Sequence, residues 1–122
     1  MKHDELTDVT ISHYDGISWL AEYLHGYYLT IFYHEYDSLS FGSYKLIIGN
    51  RHLRMGIIYD GKDNILTIEK SIFGNTSSIP NWQYYKNYSN GEINQQNWLD
   101  IISKDIVEQF TKSNTQFQGE NQ

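Results

Sequence analysis

The stretch "SYKLIIGNRHLRMGIIYDGKDNILTIEKSIFG", from Ser43 to Gly74, leaves the chain few folds to choose from. It holds three runs rich in β-branched and aromatic residues, separated by two turn signals. Tyr44 to Ile48 and Arg54 to Tyr59 flank Gly49 and Asn50, residues that accept the positive φ of a tight turn. Asp60 followed by Gly61 opens the second turn, "DGKDN", a strong hairpin signal. Beyond it, Ile65 to Phe73 alternates, with Leu66, Ile68 and Ile72 facing one way and Thr67 and Glu69 the other. The pattern predicts an antiparallel meander, packed on one face and partly solvated on the other.

Helices are expected on both sides of this meander. In "GISWLAEYLHG", Ile17, Leu20, Ala21 and Leu24 recur at helical spacing, and Trp19 and Tyr23 widen the stripe. Asp15 is the expected N-cap and Gly26 the expected left-handed terminator. Near the C-terminus, Trp98, Ile102, Ile106 and Phe110 stack at i, i+4 intervals with Leu99 and Ile101 beside them. Asp100, Lys104, Glu108 and Lys112 form an alternating-charge row opposite. Asn97 with Asp100 resembles a capping box. Residues 1–12 and 113–122 are polar and expected to fray.

Between the first helix and the meander lies "GYYLTIFYHEYDS", Gly26 to Ser38. In a regular strand Tyr27, Leu29, Ile31, Tyr33 and Glu35 share one side; Tyr28, Thr30, Phe32, His34 and Tyr36 share the other. Neither side is plainly polar, so the strand is either covered on both faces or leaves one for a partner. Gly74 to Gln96 contains the only proline, Pro80, and the rings of Trp82, Tyr84, Tyr85 and Tyr88. It reads as a functional loop, or as a fifth strand over "NWQYYKNYS" at the sheet edge. The whole is a single α+β domain, 1–122: a mostly antiparallel sheet of four to five strands with N-terminal and C-terminal helices packed on one face.

Charge and composition narrow the function. Fifteen acidic and nine basic side chains leave a formal net charge of −6, which disfavours direct nucleic-acid binding and suits solubility or a basic partner. Eleven tyrosines, five phenylalanines and three tryptophans bring aromatics to 16%. Tyrosine is favoured where a surface must be apolar and still form hydrogen bonds. With no cysteine, disulfides and thiolate metal sites are excluded. The opening "MKHDELTDVT" lacks the apolar run of a signal peptide, and no stretch has the length of a membrane helix, so the cytoplasm is the expected compartment.

No catalytic, metal or cofactor motif is present. His3, His13 and His25 are far apart in sequence and fall on the tail and helix edge. His34 and His52 fall on or near neighbouring strands, and with Tyr36 they form the one acid–base alternative, in a small enzyme or ligand-binding domain. Lys45, Arg51, His52 and Arg54 make a basic hairpin that suits a phosphate or an acidic loop, or simply blunts a sheet edge. The stronger lead is aromatic and acidic. Tyr33, Glu35, Tyr36, Asp37, Trp82, Tyr84 and Tyr85 are the candidate partner contacts, with Asp60 and Asp63 as steering charges. Rings surrounded by carboxylates suit a basic protein, because the rings give desolvated area and the charges guide encounter.

The aromatic strand "YYLTIFYHEY" and the segment "IPNWQYYKNYS", in a small, acidic, cysteine-free chain, resemble the immunity proteins of bacterial toxin systems. The similarity is to those of contact-dependent inhibition and other polymorphic toxins. It lies in the character of the whole chain, and no binding residue is carried over from it. The resemblance implies a cytoplasmic, non-catalytic antitoxin that occludes a cognate protein toxin, often a nuclease with a basic cleft, and needs no cofactor. A phage-encoded inhibitor of a host nuclease would share these features.

Overall fold

Both hairpin turns form where the sequence puts them, and they fix the register of the sheet. The side-chain carbonyl of Asn50 accepts the amides of His52 (2.8 Å) and Leu53 (3.0 Å). Asp60 accepts the Lys62 amide at 2.9 Å, and Asn64 takes the positive φ of the second turn, 54°. Strands β2 (Ser43–Gly49), β3 (Leu53–Asp60) and β4 (Ile65–Ile72) therefore pair antiparallel without a slip, so that Leu46 meets Ile57 and Ile57 meets Ile68. With β1 (Thr30–Asp37) and β5 (Gln83–Tyr88) they make a five-stranded sheet in the order β1-β2-β3-β4-β5. The fifth strand lies in the segment "NWQYYKNYS". The computed structural model describes residues 2–72, 81–89, 91–94 and 96–120, with side chains over 11–71, 81–89, 91–94 and 96–111; Pro80 and the rest of 73–80 lie outside them.

Helices α1 (Lys2–His25) and α2 (Trp98–Glu120) lie on one face of this sheet, giving an α+β fold. Leu20 and Leu24 of α1 and Ile102 and Ile106 of α2 are fully buried with Leu46, Ile48, Met55, Ile57, Leu66 and Ile68 of the sheet. Each such side chain contributes about 1.5–3 kcal/mol on leaving water. Gly16 sits where the helices approach. A Cβ there would stand 2.8 Å from Leu99 Cδ1 and 3.0 Å from the Trp98 ring.

Four local expectations are corrected. The first helix starts at Lys2, so Asp15 is an exposed mid-helix residue and not an N-cap. Residues 2–15 contain neither Gly nor Pro, and nothing in them stops a helix. α2 extends as far as Glu120. Gly26 does not end α1; Tyr28 takes the left-handed conformation, with φ 61°. The Leu29 amide bonds to Leu24 O (3.0 Å) and the Tyr28 amide to His25 O (3.1 Å), which is a Schellman closure with buried Leu29 against buried Leu24. At α2, Asn94 replaces the expected capping box: its side chain accepts the amides of Gln96 (2.8 Å) and Asn97 (3.0 Å), while Asp100 pairs with Lys104.

The fourth correction moves side chains between faces. The register of β1 on β2 shifts between Ile31 and Tyr33, leaving Phe32 in a bulge. Ile31 therefore points to the helices together with His34 and Tyr36. Phe32 joins Tyr33 on the helix-free face, under the Arg54 guanidinium 3.6 Å from its centroid.

Candidate binding face and aromatic cavity

The helix-free face carries five of the expected partner contacts: Tyr33, Glu35, Asp37, Trp82 and Tyr84. Tyr33, Ile47, Gly56, Glu69 and Tyr84 oppose one another in a single row across all five strands. Four inter-strand steps of ~4.8 Å put the outer two roughly 19 Å apart. Tyr33 is 44% and Tyr84 65% exposed. Half-buried Trp82 fills the centre of the row: a Cβ on Gly56 would lie 3.2 Å from its ring. The missing side chain at Gly56 is what lets an indole approach the middle strand this closely. Glu35 accepts the Tyr33 hydroxyl at 2.8 Å, and this bond, with burial and the carboxylate charge, raises the Tyr33 hydroxyl above its ordinary pKa. Phe32 adds a further exposed ring.

The acidic groups at the strand ends are exposed but structurally engaged. Asp37 accepts the Leu39 amide (3.0 Å) and the Ser40 hydroxyl (2.8 Å), closing the β1–β2 loop. Asp60 holds its hairpin turn, and Asp63 is exposed at the tip. In the basic hairpin, Lys45 is the cross-strand neighbour of Glu35. Arg54 donates to Asn50 O at 2.8 Å.

Tyr36 and Tyr85, the other two rings among the expected contacts, point to the helix side. Tyr85 is the extra residue of a β5 bulge, since Ile68 pairs with Lys86 and Glu69 with Tyr84. Its hydroxyl accepts the Gln109 side-chain amide of α2, and Lys70 stands 4.3 Å over its ring. Nearby, Asp105 is buried and receives Tyr88 (2.7 Å) and Lys86 (2.8 Å). Burial pulls the Lys86 ammonium down, but its hydrogen bonds to Asp105 and Tyr88 outweigh that and raise it overall. These groups clamp α2 to the β5 edge.

Tyr36 belongs to a second site on the helix side. Its ring lies 4.0 Å from that of His13, 17° from parallel, and Trp98 stacks on His13 at 5.1 Å and 13°. His13 Nε2 and His34 Nε2 are 2.9 Å apart, so one ring donates its proton to the bare nitrogen of the other. Burial, then the neighbouring His34, lowers His13 to a pKa of about 4; burial lowers His34 as well. The pair is therefore neutral at neutral pH. Beside it opens a cavity of about 230 Å³, bounded by His13, Tyr36, Phe41, Tyr44, Tyr59 and Trp98 among others. Tyr44 is 7% exposed, and its hydroxyl has no hydrogen-bond partner among the described residues. Burial, with Tyr59 next to it, pushes that hydroxyl far above the ordinary tyrosine range.

His52 does not join His34. It is exposed on the β2–β3 turn, whereas His34 pairs with Leu46. From Leu46 to the start of that turn at Gly49 is roughly 10 Å of strand. The histidine that His34 does meet, His13, was set aside as a helix-edge residue. A signal for it exists, since His13, Ile17, Leu20 and Leu24 continue one helical stripe. It becomes readable only once α1 extends past Asp15.

Among the described residues no cluster of three acidic or histidine side chains is placed to hold a metal, and no helix is long and apolar enough to cross a membrane. No family model matches this chain, and neither does any curated protein or solved structure.

Proposed function

We propose that this chain is a non-catalytic inhibitor of the toxin-immunity type, which captures a cationic protein on the helix-free face of its sheet. The occupant we assign is the nuclease domain of a cognate toxin. The observation that carries this reading is the row from Tyr33 to Tyr84 with Trp82 lying across Gly56. Large rings left half in water on a flat sheet are the usual anchors of a protein interface, and the strands beneath hold them rigidly. The charge around them fits a basic partner. Glu35, Asp37 and Glu69 belong to this face and Asp60 and Asp63 to its hairpin tip, against Lys45, which opposes Glu35, and Arg54, which covers Phe32. The overall charge of −6 acts in the same direction at longer range. Inhibition then needs no chemistry by the chain, only steric cover of the cleft and competition with its phosphate substrate. The separation of His52 from His34 favours this reading over an acid–base enzyme. A phage inhibitor of a host nuclease would use the same face.

The test is co-expression with a toxin nuclease domain, sought in the genes neighbouring this chain's own, scored by growth and by affinity of the purified pair. Wild type is expected to protect. The double variant Tyr33→Ala/Tyr84→Ala removes two exposed rings and is expected to fold normally by circular dichroism. It should bind about 1,000-fold more weakly, at roughly 2 kcal/mol per anchor. A wild-type chain that does not bind that domain, or a double variant that binds equally well, overturns the proposal.

A further inference from the structure

The β1–β2 loop, Ser38 to Gly42, leaves two large apolar side chains in water. Leu39 is 89% and Phe41 70% exposed; among the described residues of this kind only Tyr28 is more exposed than Leu39. Phe41 also holds φ 58°, with Gly42 following at φ 74°. That left-handed region is strained for a side chain as bulky as phenylalanine, and persists only where the surroundings enforce it. Here they do. Asp37 accepts the Leu39 amide and the Ser40 hydroxyl, and Ser43 donates its amide (3.0 Å) and its hydroxyl (2.7 Å) to Ser40 O. The Gly61 amide of the β3–β4 turn in turn donates to Ser43 Oγ at 2.9 Å. Both apolar side chains are thus fastened in solvent at one end of the sheet.

We infer that this loop is the element that enters the partner's cleft, with Leu39 and Phe41 as its anchors, while the face from Tyr33 to Tyr84 covers the surface beside it. This rests on the capture of a cationic nuclease domain proposed above, and assigns the part of the chain that blocks the active centre. A flat sheet lies over a cleft without filling it, whereas a loop beyond the strand ends can enter. The loop is continuous with the face, since Tyr33, Glu35 and Asp37 alternate along β1 on that side and Asp37 lies roughly 13 Å from Tyr33. Anchors already held rigid lose little freedom on binding, so more of their buried area becomes affinity. Charge selects the occupant. Asp37, Asp60 and Asp63 are exposed at this end of the sheet, and Lys62 is the only basic residue of the two docked loops. A second copy docked loop to loop would set these carboxylates against one another, whereas a cleft with a basic rim complements them.

The experiment uses the toxin nuclease domain sought for the sheet face, with affinity and inhibition of cleavage measured on the purified proteins. Leu39→Ala/Phe41→Asn removes both anchors, and asparagine tolerates the left-handed φ, so the fold should persist by circular dichroism. This variant should bind about 100-fold more weakly and inhibit cleavage less in proportion. An uncleavable phosphorothioate oligonucleotide should compete with the wild-type chain for the domain. Asp63→Lys, a change at the exposed turn tip, should slow association at low ionic strength and leave dissociation unchanged. The assignment is overturned if the loop variant binds and inhibits as wild type does, if the oligonucleotide does not compete, or if Asp63→Lys binds no more slowly. It is overturned too if wild type alone sediments as a dimer that the loop variant abolishes, since a second copy then covers the loop. The two surfaces fail separately. Wild-type affinity in Tyr33→Ala/Tyr84→Ala, with loss in the loop variant, strikes the face and leaves the loop; the reverse strikes the loop and leaves the face. A domain that does not bind wild type overturns both.

Discussion

Tyr28 shows how a single residue can be at odds with its position. It occupies the left-handed slot that closes α1, a conformation that costs a side chain with a Cβ about 1–2 kcal/mol. Its own side chain is 90% exposed, so it recovers little by packing. Tyr28→Gly is expected to raise stability by about 0.5–1 kcal/mol after allowing for the greater freedom of glycine in the unfolded chain. Urea denaturation reads this directly, and an unchanged or lower midpoint would mean that the Tyr28 ring makes contacts worth as much as the strain. The expectation that Gly26 would serve here fails for a local reason. The terminator is fixed by which carbonyls need partners, and Leu29 must reach back to Leu24 to bury both leucines.

Elements whose signals are local were legible from sequence, and those set by distant contacts were not. The turns at Asn50 and Asp60 are made by side chains bonding to amides two and three residues on, and so they are written in adjacent letters. The core stripes of β2, β3 and β4 follow from period-two alternation. The bulges at Phe32 and Tyr85 were invisible because each is decided by the pairing strand. The β1 shift is why Ile31 turned up beneath the helices and Phe32 beside Tyr33, whereas Tyr36 lies opposite Tyr33 by simple alternation. The pairing of His13 with His34 joins residues 21 apart and had no local signature. Loop-to-loop docking belongs to the same class. A Cβ on Gly61 would lie 1.9 Å from the Phe41 carbonyl oxygen, and the Gly61 amide bonds to Ser43 Oγ at 2.9 Å. Gly61→Ala should therefore push the β1–β2 loop off the β3–β4 turn, costing about 2–3 kcal/mol. Thermal melts measure the cost, and NMR shifts at residues 38–43 its location; a variant as stable as wild type would show that the two loops part freely.

At the level of the whole molecule, the neutral histidine pair ties stability to pH. His13 is held at about 4 against an ordinary 6.5, so the unfolded chain takes up its proton first on acidification. Stability from this group is complete above pH 6.5, falls between 6.5 and about 4, and then levels off, by up to roughly 3 kcal/mol in all. His34, lowered by burial, acts with the same sign. His13→Phe keeps a ring between Tyr36 and Trp98 and should flatten that interval in urea midpoints taken from neutral pH down to about pH 4; an equally steep loss in the variant would place the titration elsewhere. The sheet's connectivity bears on how the molecule is made. Every strand pairs with its immediate predecessor, so short-range closure can complete all five without α2. The lid over Leu66, Ile68 and their neighbours is α2, which follows all five strands in the chain. A chain cut short of α2 thus carries a finished but greasy sheet, and would be an aggregating product with no partially working form.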